Sequence, residues 1–131
     1  MNEPESAFNM FTMAKMDFDT LQRMLKDPDF ADEAFGFHAQ QAVEKALKTW
    51  LIFVQHRHPK IHDLRVLVRL LEESGQSLPE RFEALLDLTT FGTVFRYQSY
   101  EPFDDYLDRT GIVEEIGVLL AFVRNRCGLP E

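Results

Sequence analysis

The stretch FGFHAQQAVEKALKTWLIFVQHRHPKIHDLRVLVR, Phe35 to Arg69, decides the fold of this chain. From Phe35 onward, Ala39, Ala42, Val43, Ala46, Leu47, Trp50, Leu51 and Val54 recur at steps of three and four, the spacing of one face of an α-helix. Gln40, Gln41, Glu44, Lys45, Lys48 and Thr49 fill the other face. Glu44 and Lys48 stand one turn apart in the favourable order, a pair worth about 0.3–0.5 kcal/mol on a solvated helix. Pro59 stops this helix, because its ring clashes with the preceding turn and its nitrogen cannot donate. Asp63 then sets a carboxylate at the start of the next helix.

Upstream, Ala7, Met10, Phe11, Ala14, Phe18, Leu21, Met24 and Leu25 keep helical spacing, which predicts a first helix to about Lys26, with residues 1–6 frayed. Asp27-Pro28-Asp29 breaks it, and Asp29 is the expected N-cap of the second helix, which runs to about His56. Downstream, a third helix over about Asp63 to Ser74 turns Leu64, Leu67, Val68 and Leu71 inward, and Gly75 closes it. Ser77-Leu78-Pro79-Glu80 has capping-box spacing and opens a fourth helix with Phe82, Leu85, Leu86 and Thr89, ending near Phe91 or Gly92. Thr93 to Arg109 is aromatic and irregular, carrying Phe95, Tyr97, Tyr100, Phe103 and Tyr106 beside Pro102 and several acids. The last helix covers about Thr110 to Asn125, where Gly117 points to close packing. No strand pattern and no repeat interrupts this series. The expected fold is all-α, an up-and-down bundle of about five helices forming a single domain over 1–131.

Length and composition set the class. A chain of 131 residues with 45% hydrophobic and 27% charged residues suits one soluble globular core. A single cysteine, Cys127, leaves no intramolecular disulfide and fits a reducing cytoplasm. No basic-then-apolar leader and no apolar run of about 20 residues is present, so neither export nor a membrane span is expected. The net charge of −8 argues against wholesale nucleic-acid binding, yet it is unevenly spread. Glu44 to Arg69 carries a net +4 and the remainder a net −12. One basic sector on an acidic body can hold a phosphate or dock an acidic partner.

Gln41-Ala42-Val43-Glu44-Lys45-Ala46-Leu47-Lys48, followed by Ile61-His62-Asp63-Leu64 at the opening of the next helix, resembles the HEPN domain family, and Arg96-Tyr97 is similar to that family's later motif. The resemblance covers about Ala7 to Val123. It implies a small helical bundle, usually a homodimer, often the partner of a separate small nucleotidyltransferase and sometimes a toxin–antitoxin component. It also implies ribonuclease activity in several branches, where the arginine holds the scissile phosphate and a histidine a few residues later assists attack. Here no histidine follows His62, and Glu101 and Phe103 stand where one branch has its histidine and tyrosine.

The expected ligand-binding residues are therefore Arg96, Lys45, Lys48 and Gln41, which can line a phosphate groove, with Tyr97 stacking on a base or ribose. Gln41, Lys45 and Lys48 share one helical flank; the other reading of that flank is an exposed face that satisfies Glu44 and the acidic loop. The expected function is a nucleotide- or RNA-phosphate-binding module. The alternative is a metal-independent endoribonuclease that uses Arg96 and takes its acid/base from elsewhere, such as His62 or a partner subunit. His56, His58 and His62 lie close in sequence, but Arg57 and Lys60 repel cations, so a basic turn and no metal is expected. No glycine-rich phosphate loop or nucleophile elbow is found, and no cofactor is expected.

Overall fold

Ala7, Phe11, Ala14, Leu21 and Met24 form the buried stripe of helix α1, Glu3–Leu25, in the computed structural model of the chain. The structure describes residues 3–57, 59–89 and 108–130. α1 begins inside the stretch expected to fray, and Ser6 and Ala7 are already buried. Past its end, Asp27 rather than Asp29 organises the turn, its carboxylate accepting the Asp29 N–H at 2.9 Å. The N-cap of the second helix is Ala31, which makes no side-chain cap, in place of the expected Asp29.

Helix α2, Asp32–Gln55, is the centre of the fold. Its start is held from the far end of the chain: Arg109 donates to the Phe30 carbonyl at 2.6 Å and to the Asp32 carboxylate at 2.7 Å. It ends ahead of Pro59, at His56, whose N–H makes the last helical bond, to the Ile52 carbonyl at 2.9 Å, and whose left-handed backbone (φ 60°) turns the chain out of the helix. Gln55 then donates to the Leu70 carbonyl at 3.0 Å and to the Ser74 hydroxyl at 2.6 Å, tying the end of α2 to the next helix.

Helix α3, Leu64–Glu73, is capped as the sequence predicts, with Asp63 accepting the Arg65 N–H at 3.0 Å. The preceding orphan donor, Leu64 N–H, goes to the Thr89 hydroxyl at 3.1 Å. Gly75 (φ 82°) takes the left-handed position after α3. The fourth helix departs from expectation. Glu80–Leu88 is a 3₁₀ helix, η1, preceded by Pro79 at its N-cap, with no capping-box bond from Ser77. The apolar spacing supplies the reason. Phe82, Leu85 and Leu88 recur every third residue, the period of a 3₁₀ turn, so all three share one buried stripe.

Helix α4, Arg109–Cys127, starts under Asp108, whose carboxylate accepts the Gly111 N–H at 3.0 Å. It closes at Gly128 (φ 63°), where Leu129 N–H reaches back to the Arg124 carbonyl at 3.0 Å. Gly117 faces the Phe18 ring of α1, and a Cβ there would lie 3.1 Å from it, so the close approach read from the sequence is present.

α2 packs against α1, α3, η1 and α4. Trp50 sits fully buried at the junction, edge-on to Phe122 at 5.3 Å, and Phe82 lies 5.8 Å from the same Phe122 ring. Its indole N–H donates to Gln76 Oε1 at 3.1 Å, an oxygen that also accepts from Arg126 at 3.1 Å. The described residues are helical throughout their regular elements, with no strand. None of these helices is long and apolar enough to cross a membrane. The end of the fourth helix near Phe91 or Gly92 and the aromatic stretch from Thr93 to Tyr106 lie outside the described residues.

Candidate functional site

α2 packs against four other helices, and along its middle, Ala39–Glu44 and Ala46–Ile52, it buries polar residues along with apolar ones: Gln40, Gln41, Glu44, Lys48 and Thr49 are all buried. The flank that the sequence leaves open as an exposed face is interior. Each buried polar group then needs a partner. Thr49 satisfies its hydroxyl on the Lys45 carbonyl at 2.8 Å. The others converge on one carboxylate.

Glu44 Oε1 accepts from Gln40 Nε2 at 2.8 Å. Its Oε2 accepts from Lys48 Nζ at 2.9 Å and from His62 Nδ1 at 3.0 Å. Gln41 joins through its neighbour, donating to Gln40 Oε1 at 2.7 Å, and Gln40 also reaches the His62 carbonyl at 3.3 Å. Burial by itself raises the Glu44 carboxyl. The hydrogen bonds from Lys48, Gln40 and His62, with the charge of Lys48, outweigh burial and hold it below the ordinary value. Glu44 is thus a buried carboxylate, and being ionised it can only accept.

That fixes the chemistry of His62. Its Nδ1 must carry the proton it shares with Glu44, which leaves Nε2 as the lone-pair nitrogen in the neutral ring. The Glu44 side chain is 4% exposed while that of His62 is 58% exposed, so a buried anion orients an imidazole whose far side is open to solvent.

Lys45 does not join this cluster. Its Nζ lies 2.6 Å from Asp17 Oδ2 on α1, and Asp17 Oδ1 is 3.3 Å from His38 Nδ1. Of the sequence-derived ligand residues, Gln41 and Lys48 are thus brought together around Glu44, and Lys45 is spent on α1. Arg96 and Tyr97, with Glu101 and Phe103, lie outside the described residues. Outside α2, the basic sector stays on the surface: Arg57, Lys60, His62, Arg65 and Arg69 are exposed. Arg65 pairs with Asp87 at 2.8 Å, both well exposed, whereas Lys60 and Arg69 make no ion pair with a described residue. Among the described residues no three metal-ligating side chains converge, and His62 is turned to Glu44. Elsewhere, Cys127 is buried and its thiol is pushed up to about 12 by desolvation, against a small opposing pull from Arg126.

The sequence reading missed the Glu44–His62 contact, the place of Gln40, and Asp17. One signal was available. Gln40, Gln41, Glu44 and Lys48 make a polar stripe at helical spacing inside the longest apolar helix, where polar groups need internal partners.

The chain matches the HEPN domain over residues 9–126, most of its length. It belongs to the HEPN domain family. No curated protein and no solved structure matches this HEPN chain. The family's helical bundle and the α2–turn–α3 segment of the structure coincide with the residues that carry the resemblance, Gln41 to Lys48 and Ile61 to Leu64.

Proposed function

We propose that this HEPN chain is a cytoplasmic nucleotide- or RNA-phosphate-binding module that acts as a homodimer beside a small nucleotidyltransferase, in the manner of a toxin–antitoxin component. The observation that carries the phosphate-binding part is the exposed basic sector on an acidic body. Arg57, Lys60, Arg65 and Arg69 project from the α2–α3 turn and α3, and Lys60 and Arg69 are not neutralised by any described residue. Lys45 and Lys48, by contrast, already hold carboxylates of the same chain, Asp17 and Glu44. Arg96 adds a further phosphate contact and Tyr97 a stacking surface. The exposed Phe8 and Phe53 line an apolar pocket of about 510 Å³ beside the end of α4 and, with Met13 and Met16 on α1, support association with a second copy.

The test is titration of a fluorescent single-stranded RNA and of a nucleoside triphosphate into the protein at several salt concentrations. Arg69→Glu and Arg96→Ala are each expected to weaken binding about tenfold or more without changing helicity, and Arg69→Glu to flatten the salt dependence by roughly 0.7 in log–log slope. Unchanged affinity in both variants would remove the phosphate-binding assignment.

A further inference from the structure

The end of the bundle where α1 begins and α2 and α4 finish holds the pocket of about 510 Å³, a volume that suits one small molecule. Phe8 and Phe53, 41% and 42% exposed, are its aromatic walls, and Cys127 lines it beside the segment 128–130. No charged side chain lines it. Cys127, its one ionisable side chain, has a thiol pushed up to about 12 by desolvation and is neutral at physiological pH. The polar character of the lining is one-sided. The Gly128 N–H is spent on the Asn125 carbonyl at 3.3 Å, the Leu129 N–H on the Arg124 carbonyl at 3.0 Å, and Pro130 has no N–H. The segment is left with carbonyl oxygens, and those of Gly128, Leu129 and Pro130 accept from no described residue. Asn9, the one amide side chain of the lining, already has a partner. The C-terminal end of α4 adds partial negative charge, and the two arginines of its last turn, Arg124 and Arg126, do not line the pocket.

We propose that this pocket binds a small uncharged aromatic molecule that carries a hydrogen-bond donor, held between Phe8 and Phe53. The inference stands apart from the phosphate-binding reading and uses none of its residues. The two phenyl rings supply apolar area and ring stacking for a flat body. A ligand that enters displaces water from the carbonyls of the segment after α4, so it must give them a donor in return or lose their hydrogen bonds. An acceptor finds no free backbone N–H on that segment, and an anion meets carbonyl oxygens and a helix C-terminus with no cation in the lining. A second copy of the chain does not meet the same demand. The large apolar side chains it exposes among the described residues, Phe8, Met13, Met16, Phe30, Phe53 and Val118, carry no donor. A second copy can therefore cover the rings, but the chemistry of the rim calls for a donor-bearing ligand.

The experiment titrates three probes with one aromatic body into the full chain: 2-naphthol, its methyl ether and 2-naphthoate. Binding is followed by the backbone amide shifts of the protein. 2-Naphthol is expected to move the amides of Phe8, Phe53, Gly128 and Leu129. The methyl ether, which has lost the donor, should bind about fivefold more weakly, and the anionic 2-naphthoate about tenfold or more weakly. Phe53→Ala should weaken 2-naphthol about tenfold, and because Phe53 is half-exposed the variant keeps its helices, which circular dichroism verifies. Met16→Lys, on the outer side of α1 and outside the pocket lining, should leave the affinity within about twofold. No shift at Gly128 and Leu129 up to the solubility limit of 2-naphthol overturns the proposal. So does binding of the ether or of 2-naphthoate as tightly as 2-naphthol, or an unchanged affinity in Phe53→Ala. An affinity for 2-naphthol that falls as protein concentration rises, and is restored by Met16→Lys, assigns the pocket to a second copy and overturns the ligand while association stands. The phosphate-binding reading is untouched by each of these results, since it rests on the RNA titration.

Discussion

Replacing Lys48 with methionine keeps the volume of the side chain and removes its charge from the Glu44 cluster. The two side chains are 10% and 4% exposed, so the pair is a buried one. Deleting one partner of a buried pair costs about 3–5 kcal/mol, because the other charge is left with too little compensation. Glu44 keeps two donors, Gln40 at 2.8 Å and His62 at 3.0 Å, which places the expected loss at the low end, about 3 kcal/mol. For a chain of this length that corresponds to a fall in Tm of about 10 °C. The pH dependence has a definite sign. The Glu44 carboxyl is displaced downward in the folded state, so its contribution is present above the ordinary value of 4.5 and is lost as pH falls through the lower folded value. Without Lys48 the opposition to burial weakens and the carboxyl rises, so the variant lacks that contribution near neutrality. Below 4.5 the wild type loses it as well. The gap between the two proteins should be widest near neutral pH and should shrink in acid. Urea unfolding followed by circular dichroism, at about pH 7 and about pH 4, measures both quantities. A loss below about 1 kcal/mol at neutral pH, or a gap that does not narrow in acid, would refute the account of Glu44 as a buried, compensated carboxylate.

Gly111→Ala should destabilise by about 1 kcal/mol although alanine is the better helix former, because a Cβ there is driven into the Asp108 carboxylate that caps α4; thermal unfolding decides the sign. Cys127, with its thiol pushed up to about 12 and its side chain buried, should resist a thiol-specific reagent at about pH 8 until denaturant is added, and prompt reaction of the native protein would contradict its burial. Phe82→Ala removes a fully enclosed ring that packs on Phe122 and should cost about 3–5 kcal/mol in a denaturant titration. Arg65→Ala, whose Asp87 partner is well exposed, should change stability by less than about 1 kcal/mol while weakening RNA binding, so the two assays separate its roles.

The helices were legible because burial imposes a period on the sequence. Phe35, Ala39, Ala42, Ala46, Trp50 and their neighbours announce α2, and Asp63 and Gly75 announce both ends of α3. The site was legible only as a set of residues. Periodicity assigns every polar position to the outside, and that inference fails along the middle of a helix packed against four others, so Gln41 and Lys48 read as a flank and lie in the interior. The contact of His62 with Glu44 spans a turn whose path no local rule specifies. Lys45 reaches Asp17 on another helix, a pairing set by how α1 docks on α2. The 3₁₀ geometry of η1 was hidden by Leu86, which continues an α-like pattern next to the three-residue repeat of Phe82, Leu85 and Leu88.

Trp50 gives the protein a built-in optical reporter. It is the chain's single tryptophan, it is sealed from water, and its ring and its N–H touch α4 and the segment after α3 at once. Its fluorescence therefore registers the docking of three separate parts of the chain as one signal. A ligand settling on the exposed arginines leaves that emission unchanged, whereas any variant that loosens the bundle shifts it to the red. A single spectrum thus separates a change in the site from a failure of the scaffold that carries it.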